Sequence, residues 1–265
     1  RLLDALDLAV SKSRGKWLAR MDADDRCDST RIERQVSLLE SGKYEVASCG
    51  ISLMGALGDG MHRYVDWVNG LDTPEKVLRE RFVESPVVQP TVVMARSLFL
   101  EVGGYLRNGF AEDYDLWLRL LERGTRFGKV SELLYDWYDR PDRLTRSDPR
   151  FDHKMMLALK ANALSRLPEI SKNGVVISGA GPIGKVLGRE LISRGIEVQG
   201  YFEVSPKRIG STCQGAPIVG LEEFGQRWQD AVLLAGVGVD GGRLKVRKLA
   251  NEAGLAEGTD FWCCC

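Results

Sequence analysis

Three carboxylates stand within four positions in "ARMDADD" (19–25), at Asp22, Asp24 and Asp25, directly after a short apolar run. If they gather at the carboxyl end of a strand, they sit where open α/β sheets place their ligands. Two like charges about 4 Å apart repel by roughly 4 kcal/mol at an effective dielectric of 20, so three together need compensation. A divalent cation supplies it, and an all-oxygen donor set suits Mg2+ or Mn2+. Mg2+ usually takes one or two protein carboxylates and completes its shell with phosphate and water, so the spacing points to a metal that holds a diphosphate. The same residues also suit a solvated acidic turn before a helix, and the motif alone leaves both readings open. A second acidic group, Glu112, Asp113 and Asp115, opens "EDYDLWLRLLERG" (112–124). Acids in a first helical turn complement the helix dipole. That accounts for their place but not for the glycine-bearing "VGGYLRNGF" (102–110) before them, expected to be a mobile loop of the kind that lines sites.

A third signal lies further on. "VVISGAGPIGKVLGREL" (175–191) carries G-x-G-x-x-G at Gly179, Gly181 and Gly184, after a strand pattern and opening a helix. That context suits a phosphate at a helix N-terminus. Glu203 follows at the end of the next strand pattern, near where a ribose-binding acid is expected.

The elements that must position these groups follow from periodicity and punctuation. Helical spacing predicts helices over 2–15, 29–42, 72–82, 97–105 (running into a glycine turn) and 112–124, the second with Ile32, Val36 and Leu39 as its apolar stripe. Thr73 and Pro74 suit the cap and first position of the third. Strands are expected at 16–21, 45–52, 90–95 and 126–138. A helix over 147–167, opened by Asp148 and Pro149, has a core stripe of Phe151, Met155 and Leu159. Pro168 and "SKNG" (171–174) mark a boundary, after which strands and helices alternate, with a helix expected at 221–228. Such alternation implies a parallel sheet.

Composition narrows the function classes. Of 265 residues, 44% are apolar and 28% charged, which suits a globular α/β protein. Lys plus Arg equals Asp plus Glu at 37 each, which argues against a nucleic-acid binder working through bulk positive charge. No apolar run approaches the length of a membrane span. The six cysteines, three of them in the run Cys263, Cys264 and Cys265, lack zinc-site spacing and read as reduced thiols in a cytoplasmic protein.

Together the two acidic groups, with "LDALDLAVSKSRGKWLARMDADD", "RIERQVSLLE", "SPVVQPTVVMARSLFLEVGGY", "AEDYDLWLRLLERG" and "LLYDWYDRPDRLTR", resemble the family-two glycosyltransferases from Arg1 to about Arg146. The resemblance implies a GT-A fold that binds a nucleotide-diphosphate sugar and transfers the sugar to an acceptor hydroxyl, with inversion and with Mg2+ or Mn2+. It matches Asp22 and Asp24 to the Asp-x-Asp motif that contacts ribose and metal-bound diphosphate, with Asp25 in support. It matches Asp113 to the general base. Glu112 and Trp117 are expected to shape the acceptor side, beside the loop of Gly103 and Gly104. Gln89 stands where many relatives have His, and no chemistry is assigned to it. A glycan or glycolipid acceptor is implied, and peripheral membrane association through it stays open. The family's first strand–helix–strand unit, which binds the base, has no counterpart in the sequence, so this chain by itself is expected to be poorly active.

The expected organisation is a partial GT-A domain over 1–146, a helical linker over 147–172, and a small Rossmann-like parallel-sheet domain over 173–265. The closing "GLAEGTDFW" resembles the end of Rossmann-like domains appended to some bacterial glycosyltransferases. For the glycine turn three readings remain: a packing turn, a nucleotide-binding accessory or regulatory module, and an NAD(P)-dependent oxidoreductase. Against the last, both histidines, His62 and His153, lie outside the segment, and Pro182 alters the turn.

Overall fold

The computed structural model describes residues 2–55, 58–239 and 241–265; Arg1, where the family resemblance begins, lies outside them. The chain divides into two compact units, Arg1–Arg81 with Ser85–Phe151, and Phe82–Glu84 with Asp152–Cys265. It is an α/β protein with a mixed sheet in the first unit and a mostly parallel sheet in the second.

The first unit contains α1 (Leu2–Lys12), β1 (Trp17–Ala19), β2 (Arg26–Cys27), α2 (Arg31–Glu40), β3 (Val46–Met54), α3 (Asp59–Asn69), α4 (Pro74–Glu80), β4 (Val93–Ala95), α5 (Arg96–Glu101), α6 (Glu112–Glu122), β5 (Phe127–Tyr138) and α7 (Leu144–Ser147). Its sheet runs β1-β4-β3-β5-β2. β4 is antiparallel to β1 and to β3, and β3 is parallel to β5, so β1, β3 and β5 point the same way. Their carboxyl ends therefore share one edge, and the acidic turn after β1 leaves from it. The short β2 folds back antiparallel onto β5, with Cys27 opposite Tyr135. One face of the sheet packs Val46, Met94 and Phe127 with Leu116, Trp117 and Leu120 of α6. Ile51, Tyr135 and Trp137 pack with Val65 and Val68 of α3, a helix not expected from the sequence. Among the described residues, no helix is long and apolar enough to cross a membrane.

The second unit contains α8 (His153–Leu164), α9 (Pro168–Asn173), β6 (Val175–Ser178), α10 (Pro182–Ile192), β7 (Val198–Glu203), β8 (Thr212–Cys213), β9 (Ala216–Gly220), β10 (Val232–Ala235), α11 (Gly242–Glu252) and β11 (Phe261–Cys263). Its sheet runs β11-β10-β6-β7-β9-β8 and is parallel except at the β8–β9 pair. The segment expected as a linker is divided at Phe151. Asp152, not Asp148, caps α8, accepting from the Lys154 amide at 2.8 Å. Of the expected stripe only Leu159 is buried, because α8 is covered on most sides, with Leu157, Ala158, Ala161 and Leu164 also buried. The helix expected at 221–228 is only a short 3-10 turn at Leu221–Glu223, ended by the extended backbone of Phe224 and followed by Gly225 at φ +77°. The cysteine run is structural: Cys263 pairs with Ala235 as part of an edge strand, and all six thiols are free.

Candidate active site

The acidic turn starts where β1 ends. The Arg20 amide donates to the Val92 carbonyl at 2.9 Å, extending the β1–β4 pairing, and the Asp25 amide reaches back to the Asp22 carbonyl at 3.4 Å. The three carboxylates then part. Asp25 is buried: its Oδ2 accepts from the Tyr135 hydroxyl at 2.8 Å and its Oδ1 from the Tyr138 amide at 2.9 Å. The same hydroxyl accepts from the Asp22 amide at 3.2 Å. Burial pushes the Asp25 pKa up, aided by the charges of Asp22 and Asp24 and opposed by these hydrogen bonds. Asp22 Oδ1 takes Arg20 Nη2 at 2.6 Å, and Arg20 also donates to the Met21 carbonyl. Asp24, its side chain 49% exposed, faces Arg140 at 3.6 Å.

This corrects the expectation of three metal-directed carboxylates. Among the described residues, no group of three or more His, Cys, Asp or Glu could hold an ion. Asp25 is turned into the sheet because the β2–β5 register brings Tyr135 beneath it. Asp24 and Asp22 remain, and one or two carboxylates are what Mg2+ or Mn2+ needs when a diphosphate supplies the rest.

Helix α2 holds the turn in place by polar contacts. The expected stripe holds at Leu39, which is buried, and at Val36, which packs against the core, but Ile32 is 40% exposed and Arg31 and Gln35 are buried beside Leu39. Arg31 donates to the Pro90 carbonyl at 2.8 Å and to the Arg20 carbonyl at 3.0 Å, with its guanidinium 5.1 Å from the centre of the Tyr135 ring. Gln35 donates to the carbonyls of Ala47 at 2.9 Å and Thr91 at 2.7 Å. Arg31 thus ties the end of β1 to the turn before β4, and Gln35 ties that turn to β3. The spacing of Arg and Gln at i, i+4 in "RIERQ" is the signal that could have located them.

The second acidic group also divides by burial. Glu112 is buried, and its Oε2 takes Arg150 Nη1 at 2.5 Å, so it is a structural ion pair rather than an acceptor-side contact. Asp115 is buried against Arg119 at 2.8 Å and Asn108 at 3.0 Å. Asp113 alone in this turn is only partly buried, its Oδ1 accepting from the Tyr114 amide at 2.8 Å. Arg119 donates to the carbonyls of Val102 at 2.5 Å and Gly104 at 2.6 Å, so the loop expected to be mobile is clamped from behind. Gly103 at φ +81° and Gly104 at φ +60° make the turn, and a Cβ on Gly104 would stand 2.8 Å from the Phe99 ring. Their role is conformational. Trp117, expected on the acceptor side, is 1% exposed in the core, edge-on to Phe127 at 6.1 Å, because it faces inward with Leu116 and Leu120.

Tyr105 joins the two acidic segments. Its ring meets Phe99 edge-on at 5.0 Å. Burial raises its hydroxyl to about 12, and the groups acting on it are Gln89, Arg20, Asp113 and Glu112. One phenol is therefore within electrostatic range of the strand end at Arg20 and of the α6 N-terminus. Past β5, Asp139 is buried and takes Arg146 at 2.8 and 2.9 Å and Arg143 at 3.5 Å, while Arg140 lies between Asp24 and Asp142. Arg20, Tyr105, Tyr135 and Arg140 are the site residues that motif spacing alone did not single out.

In the second unit the glycine turn follows β6. Gly179 has φ +104°, and a Cβ on Gly184 would fall 1.9 Å from the Gly179 carbonyl, so α10 packs directly on the turn. Gly181 is the N-cap of α10, and a Cβ there would meet nothing closer than Arg208 at 3.8 Å. Glu203, expected to bind ribose, is already engaged. Its Oε2 accepts from the Ala180 amide at 3.2 Å and Arg208 at 2.9 Å, and its Oε1 from the amides of Val204 at 2.8 Å and Ser205 at 3.2 Å. Burial pushes its pKa up, but Arg208 and the amides outweigh this and hold it low. Four bonds fill the usual acceptor sites of a carboxylate.

Residues 1–103 match the family model for Glycosyl transferase family 2, a span that includes Asp22, Asp24, Asp25 and Gln89 and stops short of Asp113. The chain is 32% identical over 139 residues to the putative glycosyltransferase EpsE of Bacillus subtilis, covering 51% of this chain and 48% of that protein. It is 29% identical over 137 residues to the O-antigen biosynthesis glycosyltransferase WbnJ of Escherichia coli, covering 50% and 51%. It thus spans about half the length of these curated relatives. Among solved structures, it is similar to S. aureus TarS 1-349 in complex with UDP-GlcNAc, at 16% identity and a TM-score of 0.48, covering 71% of this chain and 50% of that one. Residues 1–103 of this chain are a domain of glycosyltransferase family 2.

Proposed function

We propose that the first unit takes part in transferring a sugar from a nucleotide-diphosphate sugar to a hydroxyl of a glycan or glycolipid acceptor, with inversion at the anomeric carbon. The observation that carries this reading is the placement of Asp113. It is the one carboxylate of its turn that is half-buried rather than buried, and the Tyr105 hydroxyl lies within electrostatic range both of it and of Arg20, which leads into the Asp22–Asp25 turn. A base must lie within hydrogen-bond reach of the attacking hydroxyl, which for inversion approaches the anomeric carbon from the face opposite the departing diphosphate. Asp113 removes the acceptor proton as the hydroxyl oxygen attacks. Asp24, with Asp22, would hold Mg2+ or Mn2+ against the diphosphate, and the bound cation would stabilise the charge of the leaving group. Arg20 and Arg140 hold Asp22 and Asp24 until the nucleotide arrives. Asp25, braced by Tyr135 and Tyr138, fixes the turn.

UDP is the first nucleotide to test, since the similar TarS structure holds UDP-GlcNAc. The test is a panel of UDP-, GDP- and dTDP-sugars titrated into the full-length protein with Mn2+ and again with EDTA, read by calorimetry. Binding of one nucleotide sugar that needs Mn2+ is expected. Binding of none, or binding indifferent to EDTA, would count against the donor and the metal assignment respectively. In the second unit, we take the glycine turn as a packing turn or weak nucleotide contact without redox chemistry, since the acid expected on the ribose is occupied by Arg208 and backbone amides.

A further inference from the structure

Gln89 sits in the short 3-10 turn Gln89–Thr91 before β4 and is 8% exposed, yet its Nε2 has no hydrogen-bond partner. A buried amide left without a partner costs roughly 1–3 kcal/mol, so such a group calls for an explanation. The residue cannot simply turn away, because the backbone around it is pinned. Arg31 holds the Pro90 carbonyl, Gln35 holds the Thr91 carbonyl, and the Val92 amide donates to the Gln89 carbonyl at 3.1 Å. Its polar neighbour is the Tyr105 hydroxyl, near enough for the carboxamide to favour the phenolate yet outside the geometry of a formed hydrogen bond, and the same hydroxyl feels the charges of Arg20, Asp113 and Glu112. Tyr105 is fixed in turn by Phe99 and by the Arg119 clamp on Gly104. Two uncharged polar groups are thus held together within electrostatic range of Arg20 and Asp113, and one of them has a donor to spare.

We propose that Gln89 and Tyr105 form a recognition pair for a sugar hydroxyl, with the Gln89 carboxamide donating to it. This rests on the sugar-transfer reading and adds to it a specificity role for residues outside the acidic motifs. The pair is suited to recognition rather than proton transfer. Carboxamides do not titrate, and a phenol that ionises only near 12 stays protonated at neutral pH. The hydroxyl recognised belongs either to the donor sugar or to the acceptor, and the chemistry is the same. A site built to bond a hydroxyl discriminates strongly against ligands that lack it, because its own buried polar groups are then left unpaired.

The experiment compares full-length wild type with Gln89→Met, which removes the donor while keeping the length, and with Tyr105→Phe, which keeps the ring against Phe99. Binding of UDP, GDP and dTDP and of their sugars is measured by calorimetry with Mn2+, and KM for the acceptor by turnover. If the pair reads the donor sugar, both variants weaken the nucleotide sugar about tenfold and leave the free nucleotide unchanged. If it reads the acceptor, acceptor KM rises about tenfold with nucleotide-sugar affinity unchanged. Normal values in both arms for both variants overturn the pair. Equal loss for nucleotide and nucleotide sugar also overturns it, since that marks a collapse of the site. Wild-type protein that binds no nucleotide sugar refutes the transfer reading, and this assignment falls with it.

Discussion

The Tyr135 hydroxyl stands between the Asp22 amide, from which it accepts at 3.2 Å, and the Asp25 carboxylate, to which it donates at 2.8 Å. One phenol on the last stretch of β5 thus holds both ends of the acidic turn that follows β1. Asp25 is buried, so each bond it keeps offsets part of the cost of desolvating its charge. Tyr135→Phe is expected to keep the ring in the core and lose about 1–3 kcal/mol of stability, as the carboxylate is left with the Tyr138 amide alone. Chemical denaturation measures it. Nucleotide-sugar affinity should fall as the turn loosens. A double-mutant cycle with Asp25→Ala should give a coupling above about 0.5 kcal/mol, and additive effects would show that the two residues act separately.

Arg31→Met removes a buried donor that serves two carbonyls, those of Pro90 and Arg20. The Pro90 carbonyl is then buried without its partner and the half-buried Arg20 carbonyl loses its own, and a loss of about 2–4 kcal/mol is expected from the two together. Arg31→Lys should recover only part, because an ammonium is a point donor and cannot span two carbonyls as a planar guanidinium does. Denaturation midpoints of the three proteins decide it, and a variant as stable as wild type would remove Arg31 from the scaffold of the site.

Asp113→Asn keeps shape and removes basicity. If Asp113 takes the acceptor proton, turnover should fall by about 10²–10⁴ with nucleotide-sugar affinity little changed, since the loss lies in the transition state. Single-turnover transfer and calorimetry on the same samples separate the two quantities. Glu112→Gln should behave differently. Its partner Arg150 keeps Asp148 but loses its bond to the buried Glu112, so stability falls modestly while the base remains.

These contrasts mark how far the sequence could be read. The strands at β1, β3 and β5, the helix at α6 and both acidic groups follow from local pattern and punctuation. What local pattern misses is which members of a polar group turn inward. Asp22, Asp24 and Asp25 look equivalent in a string. The antiparallel return of β2 onto β5, a register between residues more than a hundred positions apart, buries only the third. Glu112, Asp113 and Asp115 look equally suited to a helix N-terminus. Arg150 and Arg119 pair with the first and last, which are buried, while the middle one stays half-buried. On α2 Ile32 completes the expected stripe with Val36 and Leu39, yet Arg31 and Gln35 are buried in its place, because carbonyls at the ends of β1 and β3 and in the turn before β4 reward buried donors more than buried methyls. Trp117 shows the converse: near a site in sequence, it is core by helical phase.

Lys129 allows a test by pH. It lies in β5 with its ammonium donating to the Val68 carbonyl, beside Cys49 and Asn69. Burial lowers its pKa from the ordinary 10.5 to about 8, partly offset by the more distant Asp72. Burial also lifts the Cys49 thiol to about 12, so that group stays neutral in the same range. Above about pH 8 the folded chain has released the Lys129 proton, whereas the unfolded chain keeps it until about 10.5. Unfolding in that window takes up a proton, so rising pH favours the folded state. The shift corresponds to about 3 kcal/mol, of which none is felt well below pH 8 and all of it above 10.5. Lys129→Met lacks the term. Its stability relative to wild type should therefore be greatest near pH 7 and decline steadily toward pH 10.5, as wild type gains what the variant cannot. Paired urea denaturation curves at half-unit steps read the difference directly and cancel the other groups that titrate in this range. A stability gap independent of pH would mean that Lys129 keeps its charge in the folded chain.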